Sequence, residues 1–133
     1  MSLILSLNSL KAAIPSGYYD TANGLDDDAL KAALNNIIDG HTEFPYTSSG
    51  TDVWVILKVS DRDPNNLNNV LCVYTQYSMS AAGEYNSGNG WSREHVWAKS
   101  HGDFGTSTGT GTDVHNLKPA DVSINSTWNN RDF

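Results

Sequence analysis

The chain of 133 residues has room for one domain of ordinary size, and its 38% apolar content, spread along the length, excludes a disordered polymer. A single cysteine, Cys72, excludes an intramolecular disulfide and a Cys₄ or Cys₂His₂ zinc site, and no stretch approaches the roughly 20 apolar residues of a membrane helix. The net charge of −7, taken whole, opposes polyanion binding, but residues 1–90 hold 4 basic and 10 acidic side chains while residues 91–133 hold 4 and 5, nearly neutral.

In chain order, residues 1–13 read as an N-terminal arm or leader remnant. The apolar run there has no basic stretch before it, Asn8 interrupts it, and Lys11 follows it. Leu25 to Gly40 reads as a helix and as core scaffold. Asp26 can cap it, Asp27 and Asp28 suit its first turn, and Leu30, Ala33, Leu34, Ile37 and Ile38 make an apolar stripe. Gly40 suits the position just past its end. Residues 52–60 fit either period: Val53, Val55, Leu57 and Val59 alternate like a strand, whereas Val53, Ile56, Leu57 and Ser60 fit a helix. Residues 69–75 read as a buried strand with Cys72 as a core thiol, and 78–90 as a loop. Residues 91–97 read as a strand, 101–112 as a Gly/Thr-rich loop, and 113–117 as a second strand. Pro119 then opens a helix running to about Asn129.

Three segments look like motifs and are read otherwise. Asp61 to Asn66 resembles a calcium loop, but Asn66 stands where its glycine belongs and Cys72 where its bidentate Glu belongs, so it reads as an Asx-rich turn. Gly105 to Thr112 matches no nucleotide-binding loop and reads as a flexible connection between strands. The sequon at Asn125 falls on the last expected helix instead of an exposed loop.

The chemistry concentrates in Trp91-Ser92-Arg93-Glu94-His95-Val96-Trp97. Histidine suits general-base work near neutral pH, and a carboxylate beside it can hold a hard divalent cation. Adjacent strand residues point to opposite faces, so both serve one site only if the strand ends or bends here. Taken alone, the pair reads as a strand-edge His and a solvated Glu. Asp113 to Pro119 adds a second His-bearing segment directly before a helix, and that helix carries Val122, Asn125 and Asn129 on one face. A half-buried Asn there needs partners, which a metal ion with its waters would provide.

The chain resembles the bacterial endonuclease I group of secreted ββα-metal (His-Me finger) nucleases. The resemblance runs from Ile14-Pro15-Ser16-Gly17-Tyr18-Tyr19 through Asp39-Gly40-His41 and the 61–66 segment. It is sharpest in R-E-H-V-W-A-K-S-H-G (93–102), T-D-V-H-N-L-K-P-A-D (112–121) and N-S-T-W-N-N-R-D-F (125–133). It implies an α+β domain over 14–133 in which strands 91–97 and 113–117 and the following helix form the metal finger, and it favours helix for 52–60. His95 would be the general base, and Glu94 and Asn125 the protein ligands of one divalent ion, Mg²⁺ or else Ca²⁺ or Mn²⁺. Arg93, Lys99 and Lys118 are candidate phosphate contacts. His101, His115 and Asn116 would support the site by hydrogen bonds.

The resemblance further implies hydrolysis of DNA or RNA with little sequence specificity, secreted or periplasmic localisation, no membrane association and no obligate protein partner. Ala98 replaces the proline usual after the aromatic position, and Trp128 stands where the family usually has a phosphate-facing arginine. Trp128 either packs on Ile124 or marks a lost phosphate contact that Trp128→Arg would restore. Family members usually continue past the position of Phe133, so the sequence reads as truncated. Two rivals are a catalytically silent nucleic-acid- or metal-binding fragment, and a zinc hydrolase using His95, His101 and His115.

Overall fold

A computed structural model describes residues 14–131. The expected arm at 1–13 lies outside the described residues. The chain divides into two compact units, residues 1–41 and 42–133. In the first, a single 3-10 turn, Asp20–Ala22, precedes helix α1, Asp27–Ile38. Gly40 follows α1 with φ +70°, as a helix stop requires. Asp26 occupies the N-cap position, but its side chain makes no capping hydrogen bond. The expectation of a core helix is overturned: α1 has no buried residue, and Ala22 is the only one among the unit's described residues. The physical reason is lack of surface, since the described part of that unit sets only one short turn against the apolar stripe.

In the second unit, residues 53–60 are helix α2, Val53–Ser60, as the resemblance implied. Asp52 decides the ambiguity. Its Oδ1 accepts from Val55 N–H at 3.0 Å, satisfying a donor that the helix start leaves open, and its Oδ2 accepts from Ser48 N–H in the preceding segment, also at 3.0 Å. Val53 and Leu57, one turn apart, are then fully buried together. The next strand is shorter than expected. β1, Asn69–Leu71, pairs antiparallel with β2, Ser78–Ser80, which lies in the segment expected to be loop. Residues 72–75 turn because Gln76 N–H bonds back to the Cys72 carbonyl at 2.8 Å. Cys72 is the expected core thiol, and burial, with the Asp121 charge second, pushes it up to about 11. The 61–66 segment is the expected Asx turn, with Asp63 Oδ1 accepting from Asn65 N–H at 2.8 Å.

β3, Trp91–His95, pairs antiparallel with β4, Leu117–Asp121, in the register Trp91↔Asp121 to His95↔Leu117. The second strand therefore starts at Leu117, where 113–117 was expected. Asn116 and Leu117 N–H both bond to the Asp113 carbonyl, at 3.0 and 2.9 Å, which curls residues 113–116 into a turn. Pro119 sits inside the strand and does not open a helix. Its carbonyl points away from β3 and accepts from Val73 N–H at 2.8 Å, so its missing donor costs the β3–β4 ladder nothing. Helix α4, Val122–Trp128, starts instead at Asp121, whose Oδ1 accepts from Ser123 and Ile124 N–H at 2.8 and 3.1 Å. A short helix α3, Lys99–Gly102, and a 3-10 turn, Thr110–Thr112, interrupt the expected loop.

The core is Val53, Leu57, Val70, Cys72, Trp91 and Leu117, drawn from α2, both strand pairs and the segment after β1. Each large side chain buried there contributes about 1.5–3 kcal/mol over exposure. The ring of Trp54 meets Trp91 edge-on at 4.7 Å. The architecture is α+β. Among the described residues no helix is long and apolar enough to cross a membrane. The core fixes β3 on one side, and α4 follows β4 without a loop, so the end of β3 and one face of α4 share a cavity.

Candidate active site

A cavity of about 320 Å³ is lined by Ser92, Arg93, Glu94 and His95 of β3, and by Val122, Asn125 and Ser126 of α4. The α4 face at Val122, Asn125 and Asn129 is the one that the helical spacing picked out. Glu94 and His95 are adjacent, yet both are buried, at 7% and 6% exposure, and both line this cavity. This is possible because β3 ends at His95. Beyond it the chain is held by Asn116, whose Oδ1 accepts from Trp97 N–H at 2.6 Å and whose Nδ2 donates to the Trp97 carbonyl at 3.2 Å.

The His95 imidazole lies nearly parallel to the Tyr46 ring at 5.9 Å and meets Phe104 at 5.7 Å. Its Nε2 bonds the Gly111 carbonyl at 2.9 Å. A carbonyl only accepts, so Nε2 carries the proton and neutral His95 keeps its lone pair on Nδ1. Burial lowers the His95 pKa below its ordinary value, and the Lys99 and Arg93 charges add to this against the Gly111 bond. The ring is thus held in the unprotonated form that a base requires.

Glu94 Oε1 accepts from the Tyr74 hydroxyl at 2.7 Å, and the Asn125 amide also hydrogen-bonds this carboxylate. Burial raises the Glu94 pKa, with the Tyr74 and Asn125 bonds opposing. Asn125 Nδ2 also donates to Ser92 Oγ at 2.9 Å. A buried carboxylate and a carboxamide thus lie within hydrogen-bonding reach at one cavity wall. That hard-oxygen set, with only one carboxylate, suits an ion such as Mg²⁺ that retains most of its waters. It does not suit zinc. His115 has a side chain 95% exposed and bonded to Asp113 at 3.0 Å. His101 is exposed and meets the Trp97 ring at 6.2 Å, so the three histidines do not converge. Among the described residues no group of three or more His, Cys, Asp or Glu could hold a metal.

The remaining expected residues divide. Lys99 lines the cavity. Arg93 also lines it, but its guanidinium donates to the Tyr46 carbonyl and to Thr47 Oγ1 and stacks over Tyr46 and Trp54, at 3.5 and 4.1 Å from their ring centres. Lys118 stands opposite Glu94 in the strand pair but does not line the cavity, because its ammonium reaches instead to Asp61 at 3.2 Å. Asn116 supports the site through the backbone at Trp97, whereas His101 and His115 lie outside it.

Three contributors, Tyr74, Tyr46 and Gly111, escaped the sequence reading, and a fourth, Trp128, has a different partner. Tyr74 and Tyr46 lie far from the motifs in sequence and carried no signal. Trp128, which the sequence left between packing on Ile124 and a lost phosphate contact, stacks on Tyr74 with ring centres 5.5 Å apart and so backs the phenol that bonds Glu94. Gly111 belongs to a stretch read as a flexible connection, yet it is buried and a Cβ there would stand 2.5 Å from the Gly105 carbonyl oxygen. Only glycine fits at 111 against the Gly105 backbone, and from there the Gly111 carbonyl reaches His95.

The endonuclease I family model matches residues 27–133. The chain is 47% identical over 150 aligned positions to an extracellular ribonuclease of Bacillus subtilis (strain 168), covering 97% of this chain and 50% of the relative. It is 52% identical over 116 positions to an extracellular ribonuclease of Bacillus amyloliquefaciens, covering 87% and 39%. The chain thus spans half or less of the length of these relatives. No solved structure matches. On the family match and these identities, the chain belongs to the endonuclease I family.

Proposed function

We propose that this chain hydrolyses phosphodiester bonds of nucleic acid with the help of one divalent metal ion, and that β3, β4 and α4 act as a ββα-metal finger. The observation that carries this reading is the His95 Nε2–Gly111 bond, which leaves Nδ1 as the free base beside Glu94 and Asn125. His95 Nδ1 takes a proton from a water molecule, which then attacks phosphorus in line with the leaving 3′-oxygen. Glu94 and Asn125 would hold the ion through oxygen atoms, with Tyr74 and Ser92 fixing their orientation. A divalent cation bound there supplies charge neutralisation at the phosphorane and the leaving oxygen. Lys99 and Arg93 add positive potential at the cavity, Arg93 through a guanidinium already held by Tyr46 and Thr47.

The relatives' names favour RNA among the substrates and an extracellular setting. Stacking surfaces and a lone base read no base sequence, consistent with broad DNA and RNA cleavage. The test is digestion of plasmid DNA and structured RNA by the chain with Mg²⁺, Mn²⁺ or Ca²⁺, with EDTA, and by His95→Ala. Cleavage that needs metal and falls by ~10²–10⁴-fold or more in a folded His95→Ala supports the reading. Near-normal cleavage by that variant, or full activity in EDTA, overturns it.

A further inference from the structure

A second cavity, of about 530 Å³, opens beside the candidate active site between Trp97, Phe104, Asp113 and Asn116. We propose that it is a subsite for one unpaired nucleobase of the strand whose phosphate lies at His95. This inference rests on the hydrolase reading above and extends it to substrate recognition.

One ring contact joins the linings of the two cavities. Phe104 lines the second cavity and packs against the His95 imidazole at 5.7 Å. Trp97, two residues beyond His95, is 63% exposed. A large aromatic surface left open next to a reacting centre offers a π-face to a flat ligand. The platform is braced from its backbone and from one edge of its ring. Asn116 bonds both the N–H and the carbonyl of Trp97, and the His101 ring meets the indole edge-on at 6.2 Å.

The chemistry of the rim selects a base over a phosphate. Asp113 Oδ1 accepts from the backbone N–H of His115 at 2.9 Å and lies 3.0 Å from its Nδ1. The negative charge of that carboxylate repels a phosphate, while its oxygens accept hydrogen bonds from the N–H groups of a base edge. The volume falls within the ~300–1,000 Å³ of small-ligand sites. Stacking on an indole accepts every base, which fits cleavage without sequence preference. A base inside a duplex has its faces covered by stacked neighbours and its pairing edge occupied, so the occupant is unpaired.

The test is fluorescence anisotropy of a labelled single-stranded octanucleotide and of its abasic counterpart, at low salt and in EDTA. The base-bearing strand should bind the full chain about tenfold more tightly than the abasic one. Trp97→Ala should abolish that difference, and Trp97→Phe should retain most of it. If Trp97→Ala does not fold, Trp97→Leu, which keeps apolar bulk without a π-face, takes its place. Equal affinity of the two strands for the unmodified chain overturns the proposal, as does an unchanged difference in the variant. The readout needs neither metal nor hydrolysis. Failure of the cleavage reading would appear separately, as absent digestion with the binding difference intact.

Discussion

Replacing Tyr74 by Phe removes one oxygen atom and tests how the site holds its carboxylate. The hydroxyl donates to Glu94 Oε1 at 2.7 Å, and burial together with the Glu94 carboxylate keeps the phenol protonated well above its ordinary range. Tyr74 is therefore a donor at every working pH. A hydrogen bond to a charged acceptor contributes about 1.5–3 kcal/mol. The cavity at Glu94 admits water, which replaces part of the lost bond, so the lower end applies, about 1.5 kcal/mol. If Glu94 holds the metal, that loss appears as a Kd for Mn²⁺ or Mg²⁺ raised roughly tenfold, because 1.4 kcal/mol is a factor of ten. The Phe ring keeps its stack on Trp128, so the fold should survive. Calorimetric titration of metal into both proteins measures the change, and cleavage at saturating metal should recover to within a few-fold. Unchanged metal affinity in a folded Tyr74→Phe protein would refute the reasoning, because the phenol would then not be orienting a ligand.

Other perturbations test other links. Glu94→Gln and Asn125→Ala should each weaken metal binding by about 10-fold or more, with partial rescue of cleavage by excess metal; unchanged titrations in both would remove them as ligands. His95 has a folded pKa below its ordinary 6.5, so the unfolded chain takes up its proton first as pH falls. Its contribution to stability is full above about pH 6.5 and declines below it until folded His95 protonates too; comparing urea melts of the wild type and His95→Gln from pH 8 to 5 isolates this slope. For the same reason the acid limb of the cleavage profile should lie below pH 6.5, and a limb above it would contradict a buried neutral base. Trp128→Arg should lower both melting temperature and metal affinity through loss of the Tyr74 stack, and a higher cleavage rate with a steeper salt dependence would restore the phosphate-contact reading. Asp52→Ala should cost ~1–2 kcal/mol in denaturant melts, since Val55 N–H at the start of α2 and Ser48 N–H before it both lose their acceptor.

Much of the site was legible in the order of residues. Glu94-His95 at a strand end and Asn125 on the following helix stood out as candidates, and the cavity brings the three together. The helical offsets of Val122, Asn125 and Asn129 picked the face that lines the cavity, because a regular helix converts spacing into direction. Cys72 as a core thiol and the Asx turn at Asp63 were also readable, since burial of an apolar run and local side-chain bonding depend on near neighbours.

What the sequence left open turned on partners distant along the chain. The period of 52–60 was ambiguous, and the cap at Asp52 together with burial of Val53 and Leu57 resolved it. The strand at 117–121 contains a proline that reads locally as a helix start, and only the outward carbonyl contact with Val73 shows why it is tolerated. The sequence by itself supplied the candidates for the site: a histidine, a carboxylate and a carboxamide close to one another in the last third of the chain. The tertiary structure alone decided which nitrogen of His95 is free, because Gly111 lies sixteen residues away in a close-packed turn. It also decided that Lys118, His101 and His115 stand outside the cavity while Tyr74, Tyr46 and Trp128 brace it. Residue type sets what a group can do, but its tautomer, its charge state and its neighbours are set by packing between segments that the sequence keeps apart.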